Sequence, residues 1–233
     1  MLERTGMRKL FRIQTVPLPR TQSARQSLAP PAGLDVISLI VATRNTHKTR
    51  EIQELLGDSF RVTDLFRRPD IPEIAEDGAS FTENARIKAL TVSRTCDDLI
   101  MADDSGLEVD ALDGAPGVFS ARYAGNKATN QQNIEKLLNE LRSRKATGNN
   151  PGTARFRCSI VLARAGRFIH AVEEVVEGTI IDPPRGTGGF GYDPIFQPSG
   201  YDKTFGELPA ETKNRISHRA RAIEALRGHL FSA

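Results

Sequence analysis

The sequence predicts an α/β protein: an elongated mixed β-sheet flanked by helices. Three observations carry this. A short apolar run, a polar turn and a helical pattern follow one another early in the chain; a second, well-capped helical pattern precedes further apolar runs; and two long segments meet at Ala165-Gly166 as an antiparallel hairpin. Of the 233 residues, 39% are hydrophobic and 26% charged, which excludes collagen-like, coiled-coil and wholly disordered chains. No apolar run approaches the roughly 18 residues that a membrane-spanning helix needs.

Residues 1–34 form an N-terminal extension, and residues 35–233 form the domain. The extension shows no sustained period and ends in an Ala-Pro-Pro-Ala-Gly run before Leu34, as a disordered segment does. A transit peptide, an over-extended start with Met7 as initiator, and a solvated tail all fit it; a secretory signal does not, for want of an apolar stretch. Residues 1–35 carry Arg4, Arg8, Lys9, Arg12, Arg20 and Arg25 against Glu3 and Asp35. The net charge of +3 therefore belongs to the extension, and the body is close to neutral. A neutral body argues against a nucleic-acid surface, which needs a basic face.

Within the body, residues 36–42 (VISLIVA) read as a buried strand. The polar turn 43–48 leads into a helix with Ile52, Leu55 and Leu56 at helical spacing and Gly57 at its close. Ser80-Phe-Thr-Glu83 matches a capping box, after which Phe81, Ala85, Ala89 and Val92 line one helical face. Residues 99–102 predict a strand, and 107–112 another. Residues 130–145 predict a helix with Ile134, Leu137, Leu138 and Leu141 as its stripe. In 155–164, Phe156, Cys158, Ile160 and Leu162 share one face, and 168–181 return as the second arm of the hairpin. A last helix starts at Ser217 and runs to Arg227, with Gly228 just past its end.

Five segments carry candidate chemistry. Asp103 and Asp104 sit where an apolar strand ends, and alternation points them to opposite sides if the strand persists; a plain Asp-Ser-Gly turn is the other reading. Glu76-Asp-Gly78 places a carboxylate before a helix start, and Mg²⁺ bridging phosphates needs only one or two protein carboxylates. The turn holding Thr43, Arg44, Asn45, Thr46, His47 and Lys48 opens a helix and can offer backbone N–H groups to an anion, although it is no Walker A loop. Gly186-Thr-Gly-Gly-Phe-Gly-Tyr-Asp193 contains Gly-x-Gly-x-x-Gly, but prolines on both sides exclude a dinucleotide fold. Phe190 and Tyr192 there offer aromatic faces on which a flat base can stack, and Asp193 an acceptor. Finally, His218 and Arg219 occupy the first turn of the last helix, where a cation opposes the helix dipole unless it meets an anion.

Taken in order, Thr43-x-Asn-x-x-Lys48, Glu76-Asp-Gly with Phe81-x-Glu-Asn-Ala85, Ala102-Asp-Asp-Ser-Gly-Leu107, the block from Gly114 to Arg122, the block from Gly186 to Pro194 and Ser217-His-Arg219 resemble the non-canonical purine nucleoside-triphosphate pyrophosphatase family, which includes the inosine triphosphatases. The likeness runs from about Val36 to the last helix; the extension has no part in it. It implies two lobes around a central cleft, a homodimer, and Mg²⁺-dependent hydrolysis of ITP, dITP and XTP to the monophosphate and pyrophosphate. By the same likeness Asp104 is the general base, Glu76 and Asp104 hold the metal, and residues 43–48 with Ser105 grip phosphates. Phe190 stacks on the base; Gly191, Tyr192 and Asp193 line its pocket; Lys213, His218 and Arg219 bind the base and phosphate ends. Arg44 and His47 depart from the small residues usual in the family at those places. Arg219 is the donor expected to read the C6 oxygen that hypoxanthine and xanthine carry and adenine lacks. Two rival readings are a pyrophosphatase of other modified nucleotides and a nucleic-acid-binding module using the basic extension. Only Cys96 and Cys158 are present, which argues for a reducing, cytoplasmic setting.

Overall fold

The computed structural model describes residues 36–145 and 152–231, so the expectation for the N-terminal extension lies outside the described residues. Six strands form one mixed sheet in the order β2-β1-β3-β4-β5-β6. The strand β1 (Ile37–Val41) lies parallel to both β2 (Phe60–Asp64) and β3 (Leu99–Val109). From β3 onward the sheet is antiparallel through β4 (Thr153–Arg164), β5 (Arg167–Ile180) and β6 (Phe196–Pro198). Parallel neighbours require crossovers, and helices α1 (Thr46–Leu56) and α2 (Phe81–Ser93) supply them. Among the described residues three more helices follow: α3 (Asn130–Lys145), α4 (Ala210–Ile216) and α5 (His218–Leu230).

Local chemistry sets these boundaries. Ser80 Oγ accepts from Glu83 N at 3.2 Å, while the Glu83 carboxylate accepts from Ala79 N at 2.7 Å, one residue further out than the usual box. Phe81, Ala85, Ala89 and Val92 are all buried, as their spacing predicts. The β4–β5 loop is two residues long, and Ala165 (φ 48°) and Gly166 (φ 73°) both adopt the left-handed conformation that matches strand twist.

Three expectations need correction. Residues 99–102 and 107–112 are not two strands: β3 runs unbroken from Leu99 to Val109, and Leu112 belongs to a 3₁₀ turn (Asp110–Leu112). The turn reading of Asp-Ser-Gly fails because Asp103, Asp104 and Ser105 pair with Ile160, Ser159 and Cys158 of β4. Gly228 does not end the last helix, which continues to Leu230 because Leu226 and Leu230 are both buried against the core. The edge strands β2 and β6 and the short helix α4 were not anticipated. β2 carries only Phe60 and Val62 as its apolar alternation, and β6 is three residues long.

The core falls into three clusters that place the site. Leu39, Val41, Leu99, Met101, Ile160 and Leu162 pack with α1 and α5 on one sheet face. Ile40, Ala42, Ile100, Ala102 and Val161 pack with α2 on the other. Leu107, Val109, Phe156 and Phe196 pack with α3 at the far end of the same strands. The stretch 103–106 of β3 lies between these apolar ends. Among the described residues, no helix is long and apolar enough to cross a membrane.

Candidate active site

Alternation along β3 separates the two aspartates. Asp103 is 0% exposed and Asp104 7%, and they meet different cations on opposite faces of the sheet. Strand continuity also depends on Gly106. A Cβ there would stand 2.4 Å from Ser120 Oγ and 2.6 Å from Gly117 O, so the loop at 117–120 lies directly against the strand.

On the α2 face, Asp104 Oδ1 accepts from Lys88 Nζ at 2.6 Å, and Asn84 Nδ2 lies 3.4 Å from Asp104 Oδ2. The Lys88 ammonium also donates to Glu76 Oε1 at 2.9 Å and to the Asp103 carbonyl at 3.0 Å. Glu76 and Asp104 thus converge on one cation, as the sequence alone could not prove. Arg122 adds a second contact to Glu76 at 3.3 Å. Burial raises Asp104 from its ordinary value, and Lys88 and Lys48 offset only part of that shift. Burial also pulls Glu76 upward, but Lys88 outweighs it and leaves Glu76 lower than usual.

On the opposite face, Asp103 accepts from Lys48 Nζ at 2.7 Å, Arg219 Nε at 2.6 Å, Ser105 Oγ at 2.9 Å and Cys158 Sγ at 3.3 Å. Burial opposes its charge, yet Arg219 and Lys48 more than compensate and hold it well below the usual range. From Arg219 the ion pairs continue outward. Its Nη1 donates to Glu51 Oε2 at 2.6 Å; Glu51 Oε1 accepts from Lys213 Nζ at 2.7 Å; Lys213 donates to Asp193 Oδ2 at 2.6 Å. The same Asp193 oxygen accepts from Phe190 N at 2.7 Å, which fixes the end of the Gly-rich loop. Gly189 (φ 70°) makes that possible, since a Cβ there would sit 1.9 Å from Asp193 Oδ2.

Other candidates have more local tasks in this structure. Asn45 caps α1: its Oδ1 accepts from His47 N at 3.0 Å and lies 3.4 Å from Lys48 N, while Asn45 N donates to Thr43 Oγ1 at 3.1 Å. Those amides are partnered rather than open to an anion. Arg44 donates to the Ile71 carbonyl at 2.6 Å, and Thr46 is exposed at the helix start. His47 stacks on Phe190. Gly191 has φ 60°. Tyr192 is 4% exposed within the far core cluster, and its hydroxyl donates to the Ser120 carbonyl at 2.9 Å, so Phe190 alone of the two rings is left to offer a face. His218 is buried and stacks on Phe156 with centroids 4.8 Å apart. Burial, with Arg219 beside it, keeps its imidazole far below the ordinary histidine value. Arg219 is 1% exposed and its donors meet Asp103, Glu51 and Ser105, which resolves the dipole conflict noted at its helix start.

Sequence reading missed Lys88, Glu51 and Asn84. Lys88 and Asn84 were legible as polar residues on the otherwise apolar face of α2, at positions one turn apart. Glu51 carried no signal beyond a helical charge.

The arrangement separates two chemical tasks. Asp103 is a permanent anion that fixes Lys48 and Arg219. Asp104 is the carboxylate better able to take a proton, a division characteristic of acid–base sites. Among the described residues no group of three or more histidine, cysteine or carboxylate side chains is placed to hold a metal ion. Glu76 and Asp104 are nonetheless a hard-oxygen pair already sharing one cation, a donor set that suits Mg²⁺ completed by water and phosphate oxygens. An open groove of about 560 Å³ lies elsewhere, past the N-terminus of α2, lined by Phe81, Pro116, Phe119, Glu108 and Arg157 and holding neither aspartate. Charge placement rather than volume therefore locates the site.

Comparison with known proteins gives the family. A family model described as the Ham1 family matches residues 39–229. A dITP/XTP pyrophosphatase of Geobacter sulfurreducens is 49% identical over 193 residues, covering 82% of this chain and 96% of that protein. Its counterpart from Shouchella clausii is 48% identical over 189 residues, covering 81% of this chain and 94% of the relative. Among solved structures, a HAM1 protein from Coxiella burnetii superposes with a TM-score of 0.74 at 39% identity, covering 84% of this chain and all of that one (100%). With its mixed sheet, its split aspartate pair and these relatives, the chain belongs to the Ham1 family.

Proposed function

We propose that the protein hydrolyses non-standard purine nucleoside triphosphates (dITP, XTP and ITP) to the monophosphate and pyrophosphate, with Mg²⁺ as cofactor and as a homodimer. The observation that carries the reading is the pair Asp103–Asp104, adjacent in sequence, held on opposite faces of the sheet by different cations and shifted in opposite directions from the ordinary carboxylate value. The names printed for the relatives supply the substrate class.

Glu76 and Asp104 would hold Mg²⁺, which when bound supplies charge neutralisation and alignment of the triphosphate. The chain's own residues do the rest. Lys48, fixed by Asp103, brings a positive charge to the phosphate end. Asp104 takes the proton of the attacking water as the anhydride bond between the α- and β-phosphorus breaks, and pyrophosphate leaves. Phe190, fixed through Asp193, offers the base a face. Two unpaired cysteines suit a cytoplasmic setting.

Incubating the purified protein with Mg²⁺ and a panel of nucleoside triphosphates tests the proposal. Pyrophosphate should be released from dITP, XTP and ITP far faster than from ATP or GTP. Asp104→Asn should lower turnover by about 10²–10⁴-fold, the usual contribution of a positioned base. Release of orthophosphate alone, or equal turnover of all purines, would overturn it.

A further inference from the structure

His47 stands on the first turn of α1, and its neighbour Lys48 reaches the acidic pair. The His47 side chain points the other way and lies on Phe190, with ring centroids 5.2 Å apart and planes 18° from parallel. Phe190 belongs to the distant Gly-rich loop and is held in place by the bond from its N–H to Asp193. The Lys213 ammonium lies 4.9 Å from the centroid of the same ring. Consecutive residues of one helical turn therefore touch the acidic pair and the Gly-rich loop. Because Asn45 already accepts from the His47 N–H, the imidazole is the part of this residue left for ligand.

We propose that His47 and Phe190 form a two-sided aromatic clamp for the nucleobase, which makes the His47 side chain a specificity-determining residue. The inference rests on the function proposed above. A flat purine between the rings needs two carbon-contact layers, roughly 7 Å in all, so the clamp opens by rotation of the His47 side chain. That side chain is exposed and at the end of a helix, whereas Phe190 is anchored. The clamp grips any flat base and adds affinity that a bare polyphosphate cannot gain. Discrimination follows from ring size: a purine covers both faces more fully than a pyrimidine.

The test compares His47→Ala and His47→Phe with the unchanged protein, using ITP as substrate and inorganic tripolyphosphate as a base-free competitor. His47→Ala should raise KM for ITP about 10-fold, within the range known for base stacking on aromatic side chains. It should leave kcat and the inhibition constant of tripolyphosphate unchanged. His47→Phe should restore KM, and the ratio of purine to pyrimidine turnover should fall only in His47→Ala. A KM that stays the same or drops in His47→Ala overturns the clamp, a drop meaning that His47 competes with the base. A parallel weakening of tripolyphosphate also overturns it, since His47 would then serve the phosphates. Should the unchanged protein fail to hydrolyse ITP at all, the functional proposal fails instead, and the two failures are distinct.

Discussion

At the residue scale, burial decides which charges exist. Asp103 stays ionised because four donors surround it, and His218 is held neutral by burial and the adjacent Arg219; among the described residues its Nδ1 has no hydrogen-bond partner. This gives His218 a signed effect on stability. Its folded-state pKa is depressed, so the unfolded chain is the one that gains a proton once the pH falls below the ordinary histidine value of about 6.5. Stability from this residue is complete above that value and declines as the pH drops towards the folded-state pKa. His218→Phe keeps the stack on Phe156 and removes the proton site. Urea midpoints between pH 7.5 and 5 should therefore fall less steeply in His218→Phe than in the unchanged protein; parallel curves would remove His218 from the acid response. The sequence announced such residues unevenly. Asp103 and Asp104 stand out as an acidic pair after an apolar run, while Lys88 shows only as a polar residue on an apolar helical face, and its partners Glu76 and Asp104 emerge only with the fold.

At the element scale, the long central strand is the device that makes the site. The sequence suggests two strands because Asp-Asp-Ser-Gly is turn-like in composition, but the backbone of Asp103, Asp104 and Ser105 pairs with β4 and stays extended. The hairpin was legible throughout, since period-two alternation and a two-residue turn are local signals. The strands β2 and β6 were not, since short edge strands carry too little apolar pattern. Gly106 offers a direct test of the central strand. Gly106→Ala pushes a methyl group into Ser120 Oγ and the Gly117 carbonyl and should cost about 1–3 kcal/mol by overpacking, read from urea denaturation. Activity should fall as well, because the 117–120 loop leads to Arg122 and hence to Glu76. Unchanged stability would show that the loop yields freely and does not position the strand.

At the scale of the whole molecule, the strands β3, β4 and β5 pass through both ends of the core, so neither end can melt while the other keeps its sheet. Calorimetry should show one two-state transition. If the protein works as a homodimer, its midpoint should rise with protein concentration. Two resolved transitions would separate the ends, and a concentration-independent midpoint would argue for a monomer. The architecture could be read from sequence because helices and hairpin announce themselves locally; convergence of Glu76, Lys88 and Asp104 could not, since it depends on how α2 crosses the sheet. The pairing of β3 with β4 advances residue for residue from Ile100↔Ala163 to Val109↔Ala154. A slip of one position would turn every side chain over. The would-be proton acceptor would then lie among guanidinium and ammonium groups, and the fixed anion would take its place beside Glu76. Inserting a single amino acid just ahead of Asp103 in this strand therefore turns both carboxylates to the wrong face without altering either one.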